Sequence, residues 1–245
     1  MKRSAAPSST GKRAKGWNPP RQMRKLPGNT RQGYNYNPKY DTVPRGLGTI
    51  VGTVAGFPRT LKFKHKFVQN TTTTGSGEQY RRYRANGMYD PDQTGAGAQP
   101  LYFDQLATIY NHYTVVASKI TVASTPLSQS TEDAYQVVLW INDDFTKTPN
   151  FNSVLEQQGS QSRLCNAQNP GTTYMSTSWS LWNRFRGRIG DSRFTGNSGA
   201  DPSEQTGFEI IVRALDGGIS SVSVYHVVTI EYTAVWTELH DIAGS

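Results

Sequence analysis

The residues able to carry acid–base, nucleophilic or metal chemistry in this 245-residue chain are four histidines, eighteen carboxylates and a single cysteine. None stands in a spacing that specifies such chemistry. His65, His112, His226 and His240 form no close ligand pair and no HExxH run, so no zinc centre is indicated. No GxSxG elbow and no GxxxxGK[ST] phosphate loop occurs. His65 and His226 alternate with apolar neighbours, which marks them as hydrogen-bonded core residues rather than ligands. Carboxylates gather at Asp90/Asp92, Asp143/Asp144 and Asp201/Glu204, each in a stretch that reads as a loop. Asp143 and Asp144 are the candidates for a Ca²⁺ site at a subunit contact. The alternative is that such pairs only cap their loops through side-chain hydrogen bonds. No feature selects two acids for glycosidic chemistry. The expectation is a protein with no catalytic residues and no cofactor. Cys165, alone, excludes an internal disulfide framework and reads as a small buried hydrophobe.

Phosphate recognition is a chemistry the sequence does supply. Residues 1–45 hold Lys2, Arg3, Lys12, Arg13, Lys15, Arg21, Arg24, Lys25, Arg31, Lys39 and Arg45 against one acid, Asp41, about +10 in all. The other 200 residues hold 15 bases and 17 acids, so the whole excess charge of this +8 chain sits in its leader. The leader is rich in Pro, Gly, Ser and Asn and has no apolar periodicity, so it cannot offset its own ordering entropy. A disordered basic arm can neutralise phosphates and release counterions; it can also serve as a solubilising tail or an address. Lys12, Arg13 and Lys15 resemble a nuclear import signal, with Lys2-Arg3 as an upstream half. Trp17 is placed to stack on unpaired bases, at about 1–3 kcal/mol per base. Tyr34, Tyr36 and Tyr40 could do the same or pack beneath a folded domain.

The elements that must position anything else are strands. Charge vanishes over residues 46–58, where glycine alternates with small apolar residues, and this reads as a strap or linker. From residue 59 to 245 a period of two dominates, and the aromatic content favours strands. Leu61, Phe63, His65 and Phe67 share one face of the first strand; Lys62, Lys64 and Lys66 share the other, facing solvent or nucleic acid. Further strands are expected at residues 78–85, 113–124, 134–142, 162–166, 173–181, 207–215 and 221–236, with short helices at 101–111 and 152–158. In the last strand Val222, Val224, His226, Val228, Ile230, Tyr232, Ala234 and Trp236 fall on one face. Residues 71–77, 125–133 and 185–206 are too long and polar for tight hairpins. The fold expected is all-β: an eight-stranded double-sheet jelly roll with short helices in its loops and a basic N-terminal arm. The run Trp182 to Arg188 alternates aromatics with Arg184, Arg186 and Arg188, which could meet nucleic acid or pair with acids across a subunit contact. No apolar run approaches the roughly 18 residues of a membrane span, and the start lacks a secretory h-region, so a soluble intracellular product with no membrane insertion is expected. Asn70-Thr71-Thr72 matches a glycosylation acceptor only by chance on that view.

Residues 84–95, Arg-Ala-Asn-Gly-Met-Tyr-Asp-Pro-Asp-Gln-Thr-Gly, and Gln99-Pro100-Leu101-Tyr102-Phe103-Asp104-Gln105 resemble capsid proteins of small circular, replication-initiator-encoding single-stranded DNA viruses, the circovirus-like group. Ile109 to Val116 and Ser118-Lys119-Ile120 continue the resemblance, which spans roughly residues 81–122. It implies a jelly-roll subunit, a homo-oligomeric icosahedral shell (sixty copies in the simplest members), and packaging of a circular single-stranded genome after nuclear entry. The implied partners are that genome, a host nuclear import factor and a cell-surface receptor, and the implied locations are the virion and the host nucleus. The arm here is less arginine-dense than in circoviruses proper. A jelly-roll carbohydrate-binding module or hydrolase with a basic targeting tail is the alternative from another class.

Overall fold

The structure is a computed structural model that describes residues 56–95, 98–127, 134–144, 150–165 and 172–241. Nine strands and three short helices follow one another along the described chain. They are β1 (Thr60–Gly75), β2 (Gln79–Arg84), α1 (Phe103–Ala107), β3 (Tyr110–Pro126), β4 (Tyr135–Asn142), α2 (Phe151–Leu155), β5 (Gln161–Cys165), β6 (Thr173–Ser180), α3 (Leu181–Phe185), β7 (Thr195–Asn197), β8 (Gly207–Ala214) and β9 (Val222–Leu239).

All named pairings are antiparallel. One sheet has the order β1-β9-β3-β6, the other β2-β8-β4-β5. The first strand thus pairs with the last, and the chain passes between sheets at β1/β2, β2/β3, β3/β4, β5/β6, β7/β8 and β8/β9. That is the connectivity of an eight-stranded jelly roll. The small β7 joins β3 at His112–Thr114, where the pairing of β3 with β6 has already ended.

Alternation builds the core. The even-numbered residues of β9 from Val222 to Trp236 are all buried, and they meet Tyr83, Tyr113, Ile120, Trp179 and Phe208 in one cluster between the sheets. β8 departs from simple alternation because both of its faces are covered. Phe208, Ile210 and Val212 join the main core, while Ile211 lies with Val138 beneath Phe151 and Val154 of α2.

Several expectations of element length change, β3 among them, which runs from Tyr110 to Pro126. β1 runs on through Thr71–Thr74 to Gly75, although that stretch is polar: the threonines are β-branched, and Thr73 turns inward to a buried partner. The helix expected over 101–111 shrinks to Phe103–Ala107, because Tyr110 already belongs to β3. β9 extends to Leu239. The expected loop 185–206 carries the end of α3, a single 3₁₀ turn at Ser192–Phe194, and β7. The arm, with its aromatic residues, and residues 46–55 of the strap lie outside the described residues.

Candidate nucleic-acid interface

The outer face of the β1-β9-β3-β6 sheet is where the predicted lysine row falls. Lys62, Lys64 and Lys66 are exposed on β1, and Leu61, Phe63, His65 and Phe67 turn toward the core, as the alternation predicts. Exposed Arg59 precedes them. Register then adds residues that are distant in sequence. Lys66 lies opposite Glu231, Glu231 opposite Lys119, and Lys119 opposite Ser178. The neighbouring outward row is Lys64, Thr233, Ala117 and Ser180. These two rows frame a surface depression of about 410 Å³. Its floor is shallow because Ala117, Ser178, Ser180 and Thr233 have short side chains, and its rim carries the longer lysines. A β-bulge at Val116, between Val115 and Ala117, bends β3 beside it, a device that re-aims side chains next to functional sites. Among the described residues, no ion pair involves Lys62, Lys64, Lys66, Lys119 or Glu231.

Lys119 and Glu231 escaped the sequence reading. Each could be assigned an outward face from its own strand, but only the pairing of β9 between β1 and β3 brings them to the lysine row. The arm candidates Lys2, Arg3, Lys12, Arg13, Lys15, Trp17, Arg21, Arg24, Lys25 and Arg31 lie outside the described residues.

The core histidines have their partners. His65 accepts from Trp236 Nε1 at Nε2 (3.0 Å), which leaves Nδ1 to donate to the Leu101 carbonyl (3.0 Å). Burial holds its pKa down, against the opposing effect of that carbonyl. His226 has hydroxyls on both ring nitrogens, Ser124 on Nδ1 (2.8 Å) and Thr73 on Nε2 (3.0 Å). Burial, with the nearby Arg81 charge, lowers its pKa to about 4. Both rings are neutral struts of the core at neutral pH.

The carboxylates that could suggest chemistry are spent on structure. Asp201 accepts from Tyr113 Oη and Tyr89 N (both 3.0 Å) and Asp90 N (3.2 Å), and pairs with Arg84 at 3.3 Å. Burial raises its pKa despite these donors. This knot fastens the turn after β2 to the segment before β8, with Asn86 bonded to Glu204 O and Thr206 N. Glu209, wholly buried, pairs with Arg82 at 2.7 Å and accepts from Trp140 Nε1 and Asn142 Nδ2; burial raises its pKa too. Asp143 is engaged by Arg184 at 2.5 Å, and Asp144 N donates to Asn142 Oδ1. Among the described residues, no group of three or more His, Cys, Asp or Glu side chains gathers for a metal, so no third such side chain joins the Ca²⁺ candidates Asp143 and Asp144. Arg184 thus pairs with an acid of its own chain, and Arg186 lies over the Trp182 ring at 5.4 Å. A second cavity, about 620 Å³, is lined by these same groups with Gln157, Gln158 and Thr177. Its strongest polar groups are already partnered to each other. Cys165 is buried, 3.0 Å from Thr173 Oγ1. Among the described residues, no helix is long and apolar enough to cross a membrane.

The chain matches no known family pattern and no curated protein. Among solved structures it is similar to that of Desmodium yellow mottle tymovirus, with 12% identity and a TM-score of 0.45 over 81% of this chain and 98% of that one. It is also similar to the empty head of turnip yellow mosaic virus, at 13% identity, a TM-score of 0.45, and 82% and 92% coverage. The mud crab tombus-like virus structure gives 10%, 0.40, and 80% and 91%. Likeness of this degree does not separate common descent from shared architecture, so the functional reading rests on the residues themselves.

Proposed function

We propose that this chain is a structural capsid protein whose copies assemble into a closed icosahedral shell and package a single-stranded viral genome. The observation that carries the proposal is a division of labour: a leader of about +10 precedes a near-neutral jelly roll whose sheet, beginning with β1, turns a lysine row outward. A jelly roll alone is used by lectins and cupins as well as shells. Two further features favour a shell. The motif-bearing residues 81–122 resemble circovirus-like capsid proteins, and here they form β2, the fastened turn after it, α1 and the first part of β3. The buried His65, His226, Asp201 and Glu209, moreover, are committed to hydrogen bonds within the fold. The alternative hydrolase would need a cleft with a pair of uncommitted acids; the larger cavity has spent its Asp143 on Arg184, and the shallower depression is lined by one carboxylate, Glu231.

The finer reading is that the genome is circular DNA, that sixty copies form the simplest shell, and that Lys12, Arg13 and Lys15 engage a nuclear import factor before assembly. The protein then belongs in the virion and, during assembly, in the host nucleus, with a cell-surface receptor as a later partner. Electron microscopy of the purified protein with single-stranded DNA tests the core of this reading. Particles tens of nanometres across holding nuclease-protected nucleic acid are expected. A protein that stays monomeric at high concentration with nucleic acid present ends it.

A further inference from the structure

We infer that the depression between β1, β9 and β3 is a nucleotide site, where one residue of a single strand rests with its flanking phosphates on the β1 lysines and Lys119 and its base edge on Glu231. This rests on the proposed function, because it assigns the shell domain its own contact with the packaged strand, separate from the arm.

The geometry sets the scale. Lys64 and Lys66 are two residues apart on one strand face, about 7 Å, and Lys119 stands two strands away, about 10 Å. A phosphate on each side of that gap and a sugar and base between them fill it. The floor of Ala117, Ser178 and Thr233 lets a planar group approach the sheet closely. Glu231, at the centre of the row, is the discriminating feature. It lies directly opposite both Lys66 and Lys119 and is ion-paired with neither. A carboxylate there repels phosphate from the middle of the depression and accepts from an N–H donor. Cytosine offers such a donor at its exocyclic amine, the usual partner of Glu and Asp, and thymine has none at that position. An acidic peptide would instead bring its carboxylates against Glu231 at the centre of the row, a like-charge repulsion that disfavours a protein occupant.

The test uses the intact chain and labelled single-stranded oligo-dC and oligo-dT, with binding followed by fluorescence anisotropy across a salt series. Lys119→Ala and Lys66→Ala should each reduce the magnitude of the log K against log salt slope by about 0.7, the value for one phosphate on a single strand. Arg163→Ala, on an exposed position of the other sheet, should leave the slope unchanged. The native chain should favour oligo-dC severalfold, and Glu231→Gln should bring the two oligonucleotides level. Thermal melts of the lysine variants should match the native chain, since these side chains are exposed and in no ion pair. Slopes unmoved by both lysine variants would overturn the inference while leaving an arm-driven packaging protein intact. Failure of the intact chain to bind either oligonucleotide would overturn the packaging reading itself. Slopes that fall without any dC preference would reduce the site to a diffuse phosphate surface and refute the role of Glu231. Polyglutamate binding that disappears in Lys119→Ala would assign the face to an acidic protein instead.

Discussion

Single residues decide whether the turn after β2 is held. Tyr113 donates to Asp201 and accepts from the Met88 and Tyr89 amides, and its ring presses on Gly196 of β7. A Cβ on Gly196 would come within 2.4 Å of that ring, so Gly196→Ala must push the phenol off its three partners. We expect a loss of about 2 kcal/mol in urea unfolding, typical of overpacking. Gly199→Ala is the control, since its Cβ meets only Asn197 Oδ1 at 3.8 Å and should be silent. Equal effects at both glycines would refute a role for the tyrosine. His226 makes a pH prediction. Its folded ring holds a proton more weakly than the unfolded one, with the pKa lowered from 6.5 to about 4. The stabilisation is therefore fully present above pH 6.5 and is lost as pH falls from 6.5 toward 4, on the order of 3 kcal/mol. His226→Gln should flatten the decline of unfolding free energy between pH 7 and pH 4.5, whatever it does to stability at pH 7. An unchanged decline would place the acid sensitivity elsewhere.

Elements show which parts of the fold the sequence could reveal. Strands were visible where one face is apolar and the other polar: β1 as far as Phe67, and β9 from Val222 to Trp236. The threonine run that completes β1 carries no such contrast, and its inward member, Thr73, is chosen by His226, 153 residues away. The lysine row was visible for the same reason as the strand that carries it. Lys119 and Glu231 were not, because strand order, unlike alternation, leaves no local trace. The knot around Asp201 was hidden likewise, since Asp201 and its partners Arg84 and Tyr113 come from three segments. A helical turn was expected near α2, but its purpose was not. Phe151 and Val154 cap Val138 and Ile211 on the outer face of the β2-β8-β4-β5 sheet, and Arg213 lies over the Phe151 ring at 4.0 Å. Phe151→Ala should cost about 3 kcal/mol and release the cover locally. Hydrogen exchange should quicken first in residues 150–156, while β9 amides keep their protection. If β9 amides lose protection to the same degree, α2 is integral to the sandwich rather than a cover upon it.

At the scale of the whole molecule, we expect charge and fold to be separable, and that separation can be measured. Removing residues 2–45 takes away eleven bases and one acid, which turns a +8 chain into one of about −2. The core cluster is drawn from both sheets, from Phe67 of β1 to Trp236 of β9, so we expect the truncated chain to melt at nearly the native temperature. Its nucleic-acid binding should change in kind. Ten neutralised phosphates give a slope of about −7 in log K against log salt on a single strand, and the three or four lysines of the sheet face give about −2 to −3. Truncation should therefore leave weak, shallow binding that Lys119→Ala weakens further, and it should abolish packaging of nuclease-protected DNA. In a sixty-copy shell of the proposed kind, about ten charges per arm would neutralise on the order of 600 phosphates, leaving any longer genome to the β1 lysine face or to solution cations. A truncated chain that packages as much DNA as the intact one would show that the arm is not the neutralising element. One that unfolds would show that the leader and the sandwich are a single cooperative unit.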